Sequence, residues 1–198
     1  MPSMSTLVKE LRGKTGAGIL DCQNALKDTD SDIEKAIDLL RQKGLATAQK
    51  KAGRETKEGV ISSYIHAGSK IGVLVEINCE TDFVARNDEF QALVKDVALQ
   101  IAAANPIYIQ RENVPAEIIE REKNVYLGQA KEMEKPEAAW DKIIQGKLEK
   151  FYQEQCLVEQ SFIKDPNSTI KEMLIEKIAK LGENISIARF TRYQLGQG

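Results

Sequence analysis

The chain of 198 residues has one histidine, three cysteines, a net charge of only −2 and no apolar run long enough to span a membrane. Each scarcity excludes something. His66 is tied by no motif to a serine, a cysteine or an acid, so no hydrolytic triad or dyad is expected. Cys22, Cys79 and Cys156 are widely spaced and odd in number, with no Cys-x-x-Cys. That pattern argues for buried thiols in a reducing compartment and against a disulfide framework or a zinc site. The N-terminus has no apolar leader-like region, so neither secretion nor membrane insertion is expected, and cytoplasmic residence is the default. Without a leader, the glycosylation pattern Asn167-Ser168-Thr169 carries no weight. A near-neutral balance gives the whole molecule no field suited to nucleic acid or a membrane surface.

The rest of the composition, 42% hydrophobic and 29% charged, is that of an ordinary globular protein. Its length suits one core, or a core with a small appended domain. Charge is unevenly spread: residues 1–57 carry 11 basic against 8 acidic side chains, most of the excess between Arg41 and Lys57. A solvated helix and linker accounts for that run, which at most steers an acidic partner.

Two glycine patterns invite nucleotide readings, and both fail. Gly13-Lys14-Thr15 lacks the glycine that a phosphate loop needs five positions earlier, where Val8 stands, and no strand leads into it. Gly16-Ala17-Gly18 lacks the third glycine and the βαβ setting of a dinucleotide fingerprint, and reads as a helix break. No pair of acids is spaced for acid–base work. No catalytic residue, metal site or cofactor is expected.

Along the chain, residues 1–44 read as three short helices. Ile33, Ala36, Ile37 and Leu40 form one apolar stripe, Ser31 and Glu34 stand at capping-box spacing, and Gly44 supplies a stop. Residues 45–57 read as a polar, basic connector. From residue 58 the period changes to two. Val60 to His66 and Ile71 to Asn78 read as strands flanking the hairpin loop Ala67-Gly68-Ser69-Lys70.

After Thr81 a long amphipathic helix is expected on Phe90, Leu93, Val94, Val97, Ala98 and Ile101, closed by Asn105-Pro106. Two helical runs, from Ala116 to Glu134 and from Glu137 to about Cys156, break at Lys135-Pro136 and predict an antiparallel helical hairpin over about 116–156. A last helix begins after Thr169 and stops at Gly182, and Ile185 to Leu195 reads as a final strand. The order predicts an α+β core over residues 58–198, an antiparallel three-stranded sheet packed with helices.

The strand-to-helix junction Glu76-Ile77-Asn78-Cys79-Glu80-Thr81-Asp82-Phe83-Val84-Ala85-Arg86 is the most specific wording in the chain. By residue type alone, Thr81 is a helix cap, Asp82 a first-turn acid favoured by the helix dipole, and Phe83 a core aromatic. The segment nevertheless resembles the signature of bacterial elongation factor Ts. A second stretch, Leu11-Arg12-Gly13-Lys14-Thr15-Gly16-Ala17-Gly18-Ile19-Leu20-Asp21-Cys22 with Ala25-Leu26, is similar to the family's N-terminal signature. A third, Leu181-Gly182-Glu183-Asn184-Ile185, agrees more weakly. The resemblance spans essentially the whole chain.

That resemblance implies an N-terminal three-helix domain of ubiquitin-associated type and a guanine-nucleotide exchange factor for the GTPase elongation factor Tu. Thr81, Asp82, Phe83 and Val84 would intrude near the partner's Mg²⁺ site and dislodge the ion. Leu11, Arg12, Thr15, Gly16 and Ile19 match the positions that dock on the partner's GTPase domain, and the final strand and sheet would grip another part of it. The chain itself would bind neither metal nor nucleotide. Gln23-Asn24 replace a pair that is commonly Lys-Lys in the family, which removes that charge. Longer members duplicate the core. This chain has room for one module, so a homodimer and a two-plus-two complex are implied. A small-molecule enzyme is disfavoured, whereas a helical adaptor without exchange activity is the competing class.

Overall fold

The computed structural model describes residues 3–133 and 136–197. Three helices open the chain: α1 (Met4–Thr15), α2 (Ile19–Asp28) and α3 (Ile33–Lys51). Ser3 caps α1, and Gly16 ends it at φ 65, its N–H returning to the Arg12 carbonyl at 2.8 Å. Leu7, Val8, Leu11, Cys22, Ala25, Leu26 and Ala36 form their shared core, with Ile33, Ile37 and Leu40 packed against it. The expected stripe is therefore the buried one.

Two local expectations are corrected. The cap of α3 is Asp32, whose carboxylate accepts from the Lys35 N–H at 3.1 Å, rather than Ser31 with Glu34. Ser31 sits at φ 67, outside a cap's extended conformation. Nor does Gly44 stop the helix. Leu45, Ala46, Ala48 and Gln49 favour helix strongly enough to carry α3 to Lys51, at the roughly 1 kcal/mol cost of an interior glycine.

Strands β1 (Glu58–Ile65), β2 (Ile71–Cys79) and β5 (Ile185–Gln194) form an antiparallel sheet in the order β1-β2-β5. On β2 the period of two is literal: Val73, Val75, Ile77 and Cys79 are buried and Leu74 is exposed. Between the sheet strands lie α4 (Asp82–Ala85), α5 (Asp88–Ala104), α6 (Ala116–Glu132), α7 (Glu137–Gln155) and α8 (Ile170–Leu181). Gly182 stops α8 at φ 76. The single long helix expected after Thr81 is in fact two. Asn87 ends the first turn and caps the next helix, its side-chain oxygen accepting the Glu89 N–H at 2.8 Å.

Helices α6 and α7 run antiparallel, since Lys147 reaches Gln129 at 2.6 Å while Lys131 lies over the Trp140 ring. Of the expected break between them, Glu134 and Lys135 fall outside the described residues. Two short strands, β3 (Ser161–Phe162) and β4 (Asp165–Thr169), pair antiparallel and were not anticipated, being too brief for periodicity to register.

By contacts the chain divides into two units. The first takes in the chain up to Ile61 with Glu76–Val94 and Glu172–Ala188; the second takes in Ser62–Val75, Lys95–Lys171 and the residues from Arg189 onward. In the first, Arg41 on α3 pairs with Glu172 on α8, and Gly44 lies close to Ile175 and Ala179. In the second, the guanidinium of Arg111 is held by Glu149 and Glu159 and stacks on Tyr152. Buried Gln100 there donates to Gln160 and to the Ser161 carbonyl and accepts from the Ile163 N–H, so both its amide nitrogen and its oxygen are partnered internally.

Candidate functional site

At the end of β2 the chain leaves the sheet through Glu80 and enters α4 at Thr81. Thr81 is extended (φ −130, ψ 156) and its hydroxyl accepts from the Val84 N–H at 3.4 Å, the capping role its residue type suggested. Helix α4 is only four residues long and buries Ala85 alone. Phe83 projects from it 84% exposed, the most exposed large apolar side chain among the described residues. Val84 is half-buried, and half-buried Asp82 holds Arg86 one turn on at 2.7 Å. The reading of Phe83 as a core aromatic is therefore excluded.

A single acid anchors this junction. The carboxylate of Glu183, from the turn between α8 and β5, accepts the N–H of Glu80 at 3.1 Å and the N–H of Thr81 at 3.0 Å. Its other oxygen accepts the Thr81 hydroxyl at 2.6 Å. The contact is returned, since the Glu80 carboxylate accepts the N–H of Asn184 at 2.6 Å and the Arg54 guanidinium at 3.4 Å. That N–H and the nearby guanidinium hold the Glu80 carboxyl below the usual carboxylate range. Buried Asn184 donates its amide to the Arg54 carbonyl at 2.9 Å. Beneath the turn, burial pushes the Cys79 thiol up to about 11; the neutral thiol donates to the Thr81 carbonyl at 3.2 Å.

The N-terminal candidates divide by exposure. Arg12 is exposed and Ile19 is 51% exposed, with its neighbour Leu20 more so at 72%. Leu11 is fully buried in the three-helix core and offers a partner no surface as it stands. Thr15 and Gly16 shape the turn between α1 and α2: the Thr15 hydroxyl donates to the Leu11 carbonyl at 2.8 Å and accepts from the Ala17 N–H at 3.3 Å. The sequence reading missed Leu20 as a surface residue, and missed Glu80, Glu183 and Asn184 as supports. The third matched stretch contained the last two, but residue type gave no reason to link them to Thr81.

Among the described residues no group of His, Cys, Asp and Glu is placed to hold a metal ion, and no helix is long and apolar enough to cross a membrane. The arrangement offers contact rather than chemistry: an apolar side chain and a carboxylate held out on a short, tethered helix. These features sit in a protein of α+β fold.

The family model of elongation factor TS matches residues 41–197. The chain is 60% identical to elongation factor Ts of Geobacter sulfurreducens over 191 residues, covering 96% of this chain and 88% of that protein. It is 59% identical to that of Thermodesulfovibrio yellowstonii over 197 residues, covering 100% and 98%. With that of Carboxydothermus hydrogenoformans it shares 58% over 194 residues, covering 98% and 89%. This chain belongs to the elongation factor Ts family of translation elongation factors.

Proposed function

We propose that the chain acts in the cytoplasm as the guanine-nucleotide exchange factor of elongation factor Tu, binding its GDP form, displacing Mg²⁺ and GDP, and leaving it open to GTP. The observation that carries this reading is Phe83, 84% exposed on a helix start tied down by hydrogen bonds. A soluble fold has no packing reason to hold out so large an apolar side chain, and burial against a partner supplies one.

A GTPase holds its nucleotide through backbone amides, a lysine and a Mg²⁺ that bridges phosphate and protein. Accelerating release requires tighter binding to the empty partner than to the loaded one, with the coupling reciprocal. Phe83, flanked by Thr81 and Val84, would wedge beside the metal site, and Asp82 would perturb its electrostatics. Because Asp82 is engaged with Arg86, that step exchanges an internal ion pair for contact with the partner. No bond is made or broken by this chain in the proposed step.

Residues 1–44 would dock the partner's GTPase domain. Arg12 and Ile19 (with Leu20) present the surface, while Leu11, Thr15 and Gly16 set the geometry of the turn behind it. Ile65, Leu74, Tyr193 and Leu195, exposed large side chains on or beside the sheet strands, suit a second grip on the partner. Val125 and Met133, exposed on the helical hairpin, suit the proposed homodimer and two-plus-two complex; a monomer mass by light scattering, with a one-to-one complex, would count against that assembly.

The exchange reading is tested by adding catalytic amounts of the protein to elongation factor Tu loaded with a fluorescent GDP analogue. Release should accelerate without nucleotide hydrolysis. Unchanged off-rates at micromolar protein would leave the adaptor reading in its place.

A further inference from the structure

The matched stretch Leu181-Gly182-Glu183-Asn184-Ile185 has no role in the proposed contact, yet it makes the junction's most concentrated set of hydrogen bonds. At its other end α4 is held by Gln91, whose side-chain N–H donates to the Ala85 carbonyl at 2.7 Å, but no such contact reaches its start. A helix of four residues is far below the length at which helix is stable alone. It buries only Ala85, and its largest side chain, Phe83, packs against almost nothing. At the start of α4, where Phe83 sits, the restraint comes from the polar tether upstream of it.

That tether is reciprocal. Glu183 takes three hydrogen bonds from residues 80 and 81, and Glu80 takes the Asn184 N–H in return. The two N–H groups taken by Glu183 stand where the ladder of β2 has ended and the helix has not yet begun. A carboxylate there satisfies both donors, together with the one hydroxyl that caps α4. Bonds to an ionised acceptor are the stronger kind. Arg54 and Lys51 brace the far side, the first through Glu80 and the second through the Gly182 carbonyl.

We propose that Glu183, with Glu80 returning the contact through Asn184, is a positioning residue that holds the Thr81–Val84 segment in the orientation in which Phe83 meets the partner. The inference rests on the reading of that segment given above. A wedge that must be ordered on each encounter loses part of its effect to that ordering, whereas a pre-set one does not.

The test is a double-mutant cycle on the maximal rate of GDP release from elongation factor Tu, with thermal midpoints measured alongside. Glu183→Ala should lower that rate about tenfold. Glu183→Gln, whose amide oxygen can still accept both N–H groups, should recover it to within about threefold of wild type. Because Glu183 acts through the wedge, Phe83→Ala/Glu183→Ala should release GDP no more than about twofold more slowly than Phe83→Ala alone. Should Glu183→Ala melt below the assay temperature, Glu80→Ala carries the same cycle, since it removes the return contact to the Asn184 N–H and leaves the Thr81 cap of α4 in place. A wild-type rate for Glu183→Ala, or losses that multiply in the double variant, overturns the proposal. A wild-type rate for Phe83→Ala would instead remove the reading of the segment on which it rests.

Discussion

Phe83→Ala separates a contact residue from a structural one. In the folded chain Phe83 keeps 84% of its surface in water, so only about a sixth of a side chain worth about 200 Å² is lost to neighbours. At about 25 cal/mol per Å², truncation forfeits less than about 1 kcal/mol of folding stability. In a chain of this length that moves the thermal midpoint by no more than about 2–4 °C. Burial of the same ring in a partner makes it a hot spot, worth about 2 kcal/mol or roughly 30-fold in affinity. Stopped-flow release of a fluorescent GDP analogue at sub-saturating protein should therefore slow about tenfold or more, while the melting curve barely shifts. Asp82→Ala should act in the same direction and more mildly, since its exposed pair with Arg86 contributes little to folding. A Phe83→Ala protein that melted early and yet exchanged normally once folded would refute the reasoning.

Other positions give independent tests. Gly44→Ala should raise the thermal midpoint by a few degrees, about 0.5–1 kcal/mol, because its new Cβ would meet Ile175 and Ala179 at ordinary contact distances of 3.8 and 3.9 Å; a drop would mean that the helix turns there after all. Gly59→Ala should be severely destabilising, since at φ 147 the added Cβ would lie 2.3 Å from the Ile77 carbonyl oxygen, and a wild-type midpoint would show that β1 can move away freely. Lys177 and Lys180 hold the Glu89 carboxyl down at about 2 against an ordinary 4.5. Because its folded value is depressed, its stabilisation is complete above about pH 4.5 and is lost as pH falls towards 2, so Glu89→Gln should flatten the acid limb of a stability–pH curve across that window.

Where the sequence was legible, a periodicity or a punctuating residue was strong. The alternation on β2, the stripe of α3 and the stop at Gly182 all came from apolar spacing or from a glycine in a left-handed turn. It was least legible where two weak signals competed. Gly44 reads as a stop because glycine is the commonest helix terminator, but only the run that follows it decides, and four helix-favouring residues in the next five (Leu45, Ala46, Ala48 and Gln49) outweigh one glycine. The break at Asn87 was hidden for the opposite reason. Apolar spacing from Phe90 onward is continuous, and the interruption before it is made by a side-chain hydrogen bond, which periodicity does not record.

The site shows the same division at closer range. Thr81 was readable as a cap because its partner, the Val84 N–H, lies three residues away in sequence. Glu183 was not, because its partners lie about a hundred residues away and a carboxylate in a turn carries no local pattern. The exposure of Phe83 was unreadable for a related reason. An aromatic in a helix's first turn is a core residue if the helix packs on that face and a free surface if it does not. That choice depends on where the chain is tethered. The tether at the start of that helix is Glu183, so on the proposed reading what would hold Phe83 out to a partner is written not in its own tetrapeptide but in the stretch that follows α8.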